Sequence, residues 1–188
     1  VIDLGMCSTP MSYYANGLLG ADAGIMITAS HNSGEWNGLK LSREQAIPIS
    51  GATGIQDIER IVNDENFAPE ANQAGTIIPH DIIATYCSHV AKMASIDRPV
   101  KIAADMANAM GALEAKALEG HLEMDTIYGE MDGSFPNHEA NPLKTETLSD
   151  LSEMVASGEY DFGVSFDGDA DRAGFVDENG RIVPMDMI

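Results

Sequence analysis

The sequence predicts an α/β protein built in layers, and three observations carry that prediction. Short apolar runs of strand length alternate along the chain with segments whose apolar residues recur at helical spacing. Gly accounts for 18 of the 188 residues and aromatics for only 6%, a composition that suits α/β layers better than a helical bundle. Polar loops leave the ends of two apolar runs, the position where α/β proteins usually hold ligands. With 44% hydrophobic residues, the chain can bury one large core or two small ones.

Taken in order, residues 1–4 read as a strand, and residues 12–17, soon after Pro10, as helical. The apolar run 24–28 reads as a buried strand and leads directly into loop residues 29–34. Residues 38–41 form a second short strand, so that loop is pinned between two strands. Ile55, Ile58, Ile61 and Val62 give helical spacing across 54–63. The polar stretch 66–75, with Pro69, is the best linker. A helix at 82–93, a strand at 100–104, a helix at 112–122 and a strand at 124–128 follow. Residues 132–142 hold two prolines and read as a loop; 148–157 read as a helix ending at Gly158. A buried strand at 162–166, an acidic loop, a strand at 173–176 and a hairpin-type turn at 177–180 complete the pattern.

The formal net charge is -20, spread along the chain. Such a surface repels nucleic acid and anionic membranes, so neither is expected as a partner. Cys7 and Cys87 form no CxxC or metal-like cluster; both read as small core residues in a reduced, cytoplasmic setting. No apolar run is long enough to span a membrane, and the first residues lack a signal-peptide pattern. The chain opens inside what reads as a strand and stops just after another apolar stretch, so it is expected to be a piece of a longer protein.

Two loops carry chemistry. Asp167, Asp169 and Asp171 alternate with the small residues Gly168 and Ala170. Three carboxylates so close repel one another unless a cation neutralises them, and their oxygens suit hard ions such as Mg²⁺ or Ca²⁺. A calcium loop counted from Asp167 finds its acid at Glu178, yet has Arg172 where the sharp turn requires Gly, and its flanks read as strands. A phosphatase that uses Asp167 as nucleophile is a second alternative, but it leaves the other loop unexplained. Arg172 beside the acids can clamp a phosphate or pair with one of them.

The other loop contains Ser30 and His31. Alone, Ser30 reads as a turn residue, and His31 is adjacent in sequence, where side chains rarely face each other. Lys40 lies between Leu39 and Leu41, so its charge needs an anionic partner or its pKa must fall; near a phosphate it can act as general acid or base.

With these residues in view, 28–32 (Thr-Ala-Ser-His-Asn) followed by 37–40 (Asn-Gly-Leu-Lys) resembles the phosphoserine loop of the phosphoglucomutase/phosphomannomutase family of α-D-phosphohexomutases. Residues 167–172 resemble that family's metal loop, and 132–137 with 141–143 its second-domain loop. The stretch 48–54 is most similar to bacterial phosphomannomutases of the polysaccharide-synthesis type. The resemblance covers essentially the whole chain. It implies layered mixed-sheet α/β domains of the phosphohexomutase type, incomplete here: the later part of domain I over 1–75, domain II over 76–180, and the start of domain III at 181–188.

The resemblance also implies roles. Ser30 would carry the phosphate, and Asp167, Asp169 and Asp171 would hold Mg²⁺ with a phosphoserine oxygen as a further ligand. Lys40 would be the general acid/base, with His31 and Arg172 beside the reacting phosphate. The implied reaction is phosphate transfer between the 1 and 6 positions of mannose or glucose phosphate through a bisphosphate. Two positions depart from the family pattern, Ser33 for the usual Pro and Ala109 for a frequent Gly, and neither removes a reacting group.

Overall fold

The computed structural model describes all 188 residues. Its central element is a five-stranded mixed sheet in the order β6 (Glu123–Ile127), β5 (Lys101–Asp105), β7 (Phe162–Phe166), β8 (Ala173–Asp177), β9 (Ile182–Val183). β5 pairs in parallel with both β6 and β7, whereas β7–β8 and β8–β9 are antiparallel. β5, between two parallel neighbours, is buried from Ile102 to Asp105 and covered on both faces, whereas edge strand β6 exposes Glu123, Asp125 and Thr126. On one face α5 (Ser149–Ser157) presses Leu151 and Val155 onto Ala103 and Val176. On the other, Ile102, Ala104 and Val164 pack with Ala112, Ala115 and Phe166, near the short helix α4 (Gly111–Glu114).

The earlier part of the chain forms two small sheets. β1 (Ile2–Asp3) pairs in parallel with β4 (Ile78–Pro79), and β2 (Ala23–Ile27) pairs antiparallel with β3 (Leu39–Arg43). Between them runs α1 (Thr9–Leu19), which starts where Ser8 caps the Met11 N–H at 3.2 Å with Pro10 in the first turn, and stops at Gly20 in the left-handed conformation. Met11 and Ala15 of α1 share a core with Ile82 and Tyr86, at and within α3 (Ile83–Ala91), and with Leu113. This core joins the two halves of the molecule.

Several expectations change. The run 24–28 is not buried: Met26 packs on the α1 core, but Ile25 and Ile27 on the opposite face are each 66% exposed, because no element of this chain lies over them. The apolar stripe of α2 (Ile55–Asn63) is exposed for the same reason. The helix expected over 112–122 is shorter. It tightens after Glu114 into a 3₁₀ turn ending at Leu118, and Gly120 at φ 79° turns the chain into β6. α1 is longer than 12–17, since the Ser8 cap moves its start back to Thr9. Cys7 is buried, whereas Cys87 is only half-buried. No helix is long and apolar enough to cross a membrane.

Candidate active site and metal centre

The acidic loop leaves the end of β7 and returns as β8. It closes on itself when the Asp167 N–H donates to the Arg172 carbonyl at 3.1 Å, with Ala170 at φ 58° making the bend. Asp167 Oδ1 accepts the N–H groups of Asp171 and Arg172, both at 3.0 Å. Its Oδ2 accepts the Arg172 Nε–H at 2.9 Å. Asp167 and Asp169 are buried and Asp171 is partly exposed.

The loop after β2 arrives opposite. Its Thr28 N–H donates to the Gly38 carbonyl at 3.0 Å, and the Ser30 N–H to Thr28 Oγ1 at 2.8 Å. Ser30 itself sits at φ 56°, a left-handed conformation costly for a residue with a Cβ. That turn aims Oγ at the acidic loop, where it donates to Asp167 Oδ2 at 3.0 Å and accepts from Arg172 Nη2 at 2.7 Å. It also brings His31 Nδ1 to 3.4 Å from Ser30 Oγ and against Arg172. Adjacent side chains that an extended backbone would separate thus lie on the same side. The approach is close enough that a Cβ on Gly168 would strike the Ser30 carbonyl oxygen.

Lys40 reaches the same place from β3. Its ammonium bridges Asp169 Oδ2 and Asp171 Oδ2, both at 2.5 Å, which supplies the anionic partner its apolar flanks demand. Ser30, His31 and Arg172 therefore gather around Asp167, and Lys40 around the other two acids. Three carboxylates against Lys40 and Arg172 leave one unit of negative charge.

This crowding perturbs the titrations. Burial, then the neighbouring Asp169 charge, pushes Asp167 up despite its N–H partners and Arg172. Burial also acts upward on Asp169, but the bonds from Lys40 and Thr9 outweigh it and hold Asp169 below the usual carboxylate value. For Lys40, burial acts downward and the two aspartates more than reverse it, so it is a firmly protonated ammonium.

The residues fit a divalent cation. Carboxylate oxygens of Asp167, Asp169 and Asp171 lie within 4.8 Å of one another, and the buried Asp169 Oδ1 has no hydrogen-bond partner. A buried oxygen without a donor is costly unless something else neutralises it. An all-oxygen donor set suits a hard ion. The flanks are antiparallel strands, and Glu178 lies in the turn after β8 beyond the cluster, unlike a helix-flanked calcium loop.

Two features escaped the sequence. Thr9 is fully buried and donates its hydroxyl to Asp169 Oδ2 at 2.6 Å across 160 residues; as a residue at a helix start it signals only a cap. Buried Asp105, at the end of β5, accepts from His138 Nε2 at 2.9 Å.

Comparison with known proteins adds to this geometry. Residues 1–69 match the family model described as phosphoglucomutase/phosphomannomutase, alpha/beta/alpha domain I, and residues 84–180 match that for domain II. A phosphoglucomutase of Neisseria gonorrhoeae is 36% identical over 192 residues, covering 99% of this chain and 40% of the relative. A phosphomannomutase of Salmonella typhimurium is 37% identical over 193 residues, covering 97% and 42%. The crystal structure of a phosphoglucomutase/phosphomannomutase family protein from Burkholderia thailandensis superposes with a TM-score of 0.86 at 30% identity, covering 97% of this chain and 41% of that one. The chain thus spans about two fifths of the length of these relatives.

Proposed function

The chain belongs to the phosphoglucomutase/phosphomannomutase family, and from that premise we propose that its protein is a Mg²⁺-dependent phosphohexomutase acting on mannose or glucose phosphate. The carrying observation is that Ser30 Oγ is held between Arg172 and Asp167 at the edge of an acidic cluster fit for a cation. In this reading Ser30 carries the phosphate. Residues 1–75 contribute the phosphoserine loop, 76–180 the metal loop, and 181–188 lead toward the next domain.

Phosphoryl transfer needs alignment and charge neutralisation more than covalent help. Asp167, Asp169 and Asp171, with phosphorylated Ser30, would hold Mg²⁺, which would supply Lewis-acid stabilisation of the transferring phosphate. Arg172, already 2.7 Å from Ser30 Oγ, supplies a second, permanent positive charge and orients the group. His31 stands on the same side as a further donor to phosphate oxygen. As the sugar hydroxyl forms its bond to phosphorus, the bond from phosphorus to Ser30 Oγ breaks. Lys40, protonated against Asp169 and Asp171, gives a proton to the departing Ser30 oxygen and then takes the proton of the attacking sugar hydroxyl, which restores the ammonium. The bisphosphorylated sugar then returns its other phosphate to Ser30.

The residues that would choose between sugars belong, on this reading, to the part of the relatives beyond the matched two fifths. A cytoplasmic setting belongs to the same proposal, in keeping with the two free cysteines. Ser30→Ala in the full-length protein tests it: interconversion of hexose 1- and 6-phosphates is expected to fall to background, and turnover near wild type contradicts the assignment.

A further inference from the structure

We propose that Thr9 is a positioning residue of the metal centre, whose hydroxyl fixes the Asp169 carboxylate so that Oδ1 faces the cation. The inference rests on reading the aspartate cluster as a cation site.

One residue holds Asp169 at both ends. The Thr9 hydroxyl donates to Oδ2 at 2.6 Å, and the Thr9 backbone N–H donates to the Asp169 carbonyl at 3.0 Å. Thr9 and Asp169 are both essentially inaccessible to solvent, so no water can replace either bond. Oδ2 also receives Lys40, whereas Oδ1 is the buried side-chain oxygen without any partner. Rotation of the carboxylate would exchange the two oxygens, and the Thr9 bond opposes it together with that of Lys40. Of the two donors, Thr9 is the fully buried one, so it is the rigid part of what leaves Oδ1 free.

The anchor is rigid. Thr9 opens α1, and its neighbours use up the other donors of that turn: the Met11 N–H goes to Ser8 Oγ, the Ser12 N–H to the Ser8 carbonyl, and Pro10 has none. The Ser8 hydroxyl in turn donates to Glu114, which also accepts from Tyr86 at 2.8 Å. A carboxylate against the first turn of a helix is further favoured by the helix dipole. Groups that orient a metal's ligands typically change affinity by ~10–100-fold when removed. A purely structural stitch between α1 and the acidic loop would instead affect folding stability alone.

The test is Mn²⁺ binding, followed by electron paramagnetic resonance, on the full-length protein as wild type, Thr9→Val, Thr9→Ser and Asp169→Asn. Thr9→Val keeps the shape and loses the donor; Thr9→Ser keeps the donor. The expected result is a Kd weakened ~10–100-fold in Thr9→Val, with Thr9→Ser close to wild type. If Thr9→Val does not fold, Thr9→Ala supplies the same comparison without a branched side chain. A hydroxyl-free variant that is less stable but binds Mn²⁺ as tightly as wild type overturns the positioning role and leaves the cation site standing. A wild type that binds no Mn²⁺ overturns the cation reading itself, and Thr9's role with it.

Discussion

Ser30 donates a 3.0 Å hydrogen bond to Asp167, so the hydroxyl proposed to carry phosphate rests directly on a carboxylate proposed to carry metal. This contact has an electrostatic consequence. A phosphorylated serine brings roughly two negative charges and no donor, and it would face three acids balanced only by Lys40 and Arg172. The phosphorylated form should therefore depend on a divalent cation more than the unmodified form. Thermal denaturation with and without a chelator checks this: the loss in Tm on removing Mg²⁺ should be larger for phosphoprotein. An equal loss in both forms would separate the serine from the cation.

The two loops meet only because residue 168 has no side chain. Gly168→Ala would set a Cβ against the Ser30 carbonyl oxygen, a backbone atom that cannot rotate away. Overpacking of this kind costs about 1–3 kcal/mol, and relief requires the loops to part. Urea denaturation should register that loss, and the variant should also accept phosphate poorly. A stable variant with normal phosphate acceptance would mean that the loops are not so closely held.

Lys40 competes with a cation for the charge of two of its proposed ligands, since its ammonium binds Asp169 Oδ2 and Asp171 Oδ2. Lys40→Met should destabilise the metal-free protein, because Asp169 and Asp171 lose the positive charge that offsets their repulsion. It should also enlarge the rise in Tm on adding Mg²⁺, because the competing cation is gone and binding to the folded state stabilises it by mass action. A Mg²⁺-induced shift equal to wild type would rule out this competition.

His138 offers a pH test away from the metal. Its Nε2 faces Asp105 and its Nδ1 faces the Glu139 carbonyl at 2.8 Å, so both ring nitrogens meet acceptors and the doubly protonated ring satisfies both. The Asp105 bond raises the His138 pKa above the ordinary 6.5, against the downward pull of burial. A raised folded-state pKa gives stability that is complete below the unfolded value, about 6.5, and is lost as pH rises through the folded value. Urea denaturation over that pH series should show the decline in wild type and a smaller one in His138→Gln. Equal pH dependence in both proteins would place the effect elsewhere.

Much of this arrangement was legible in the sequence because the motifs carry their own chemistry. Three alternating aspartates demand a cation, and Lys40 between two leucines demands an anion; the structure brings those demands together at 2.5 Å. The longer strands followed from apolar runs, though the two-residue β4 and β9 did not, and β7 ends where the acidic loop begins. What escaped depends on contacts that no local pattern encodes. Ile25 and Ile27 have the composition of a buried strand, yet burial depends on a covering layer, and none lies over them here. Ser30 and His31 come together through a positive φ that the type of residue argues against. Thr9 meets Asp169 across the fold, and a helix-start threonine gives no sign of a partner so distant in sequence.

The central claim is that Ser30 is the group that accepts the phosphate. Its most direct test is to incubate the full-length protein with a hexose 1,6-bisphosphate and Mg²⁺, then locate the covalent phosphate by peptide mass spectrometry. The account predicts an acid-stable phosphate on the peptide containing Ser30, absent from Ser30→Ala. A Ser30 peptide without phosphate, or phosphate carried instead on Asp167, would contradict it.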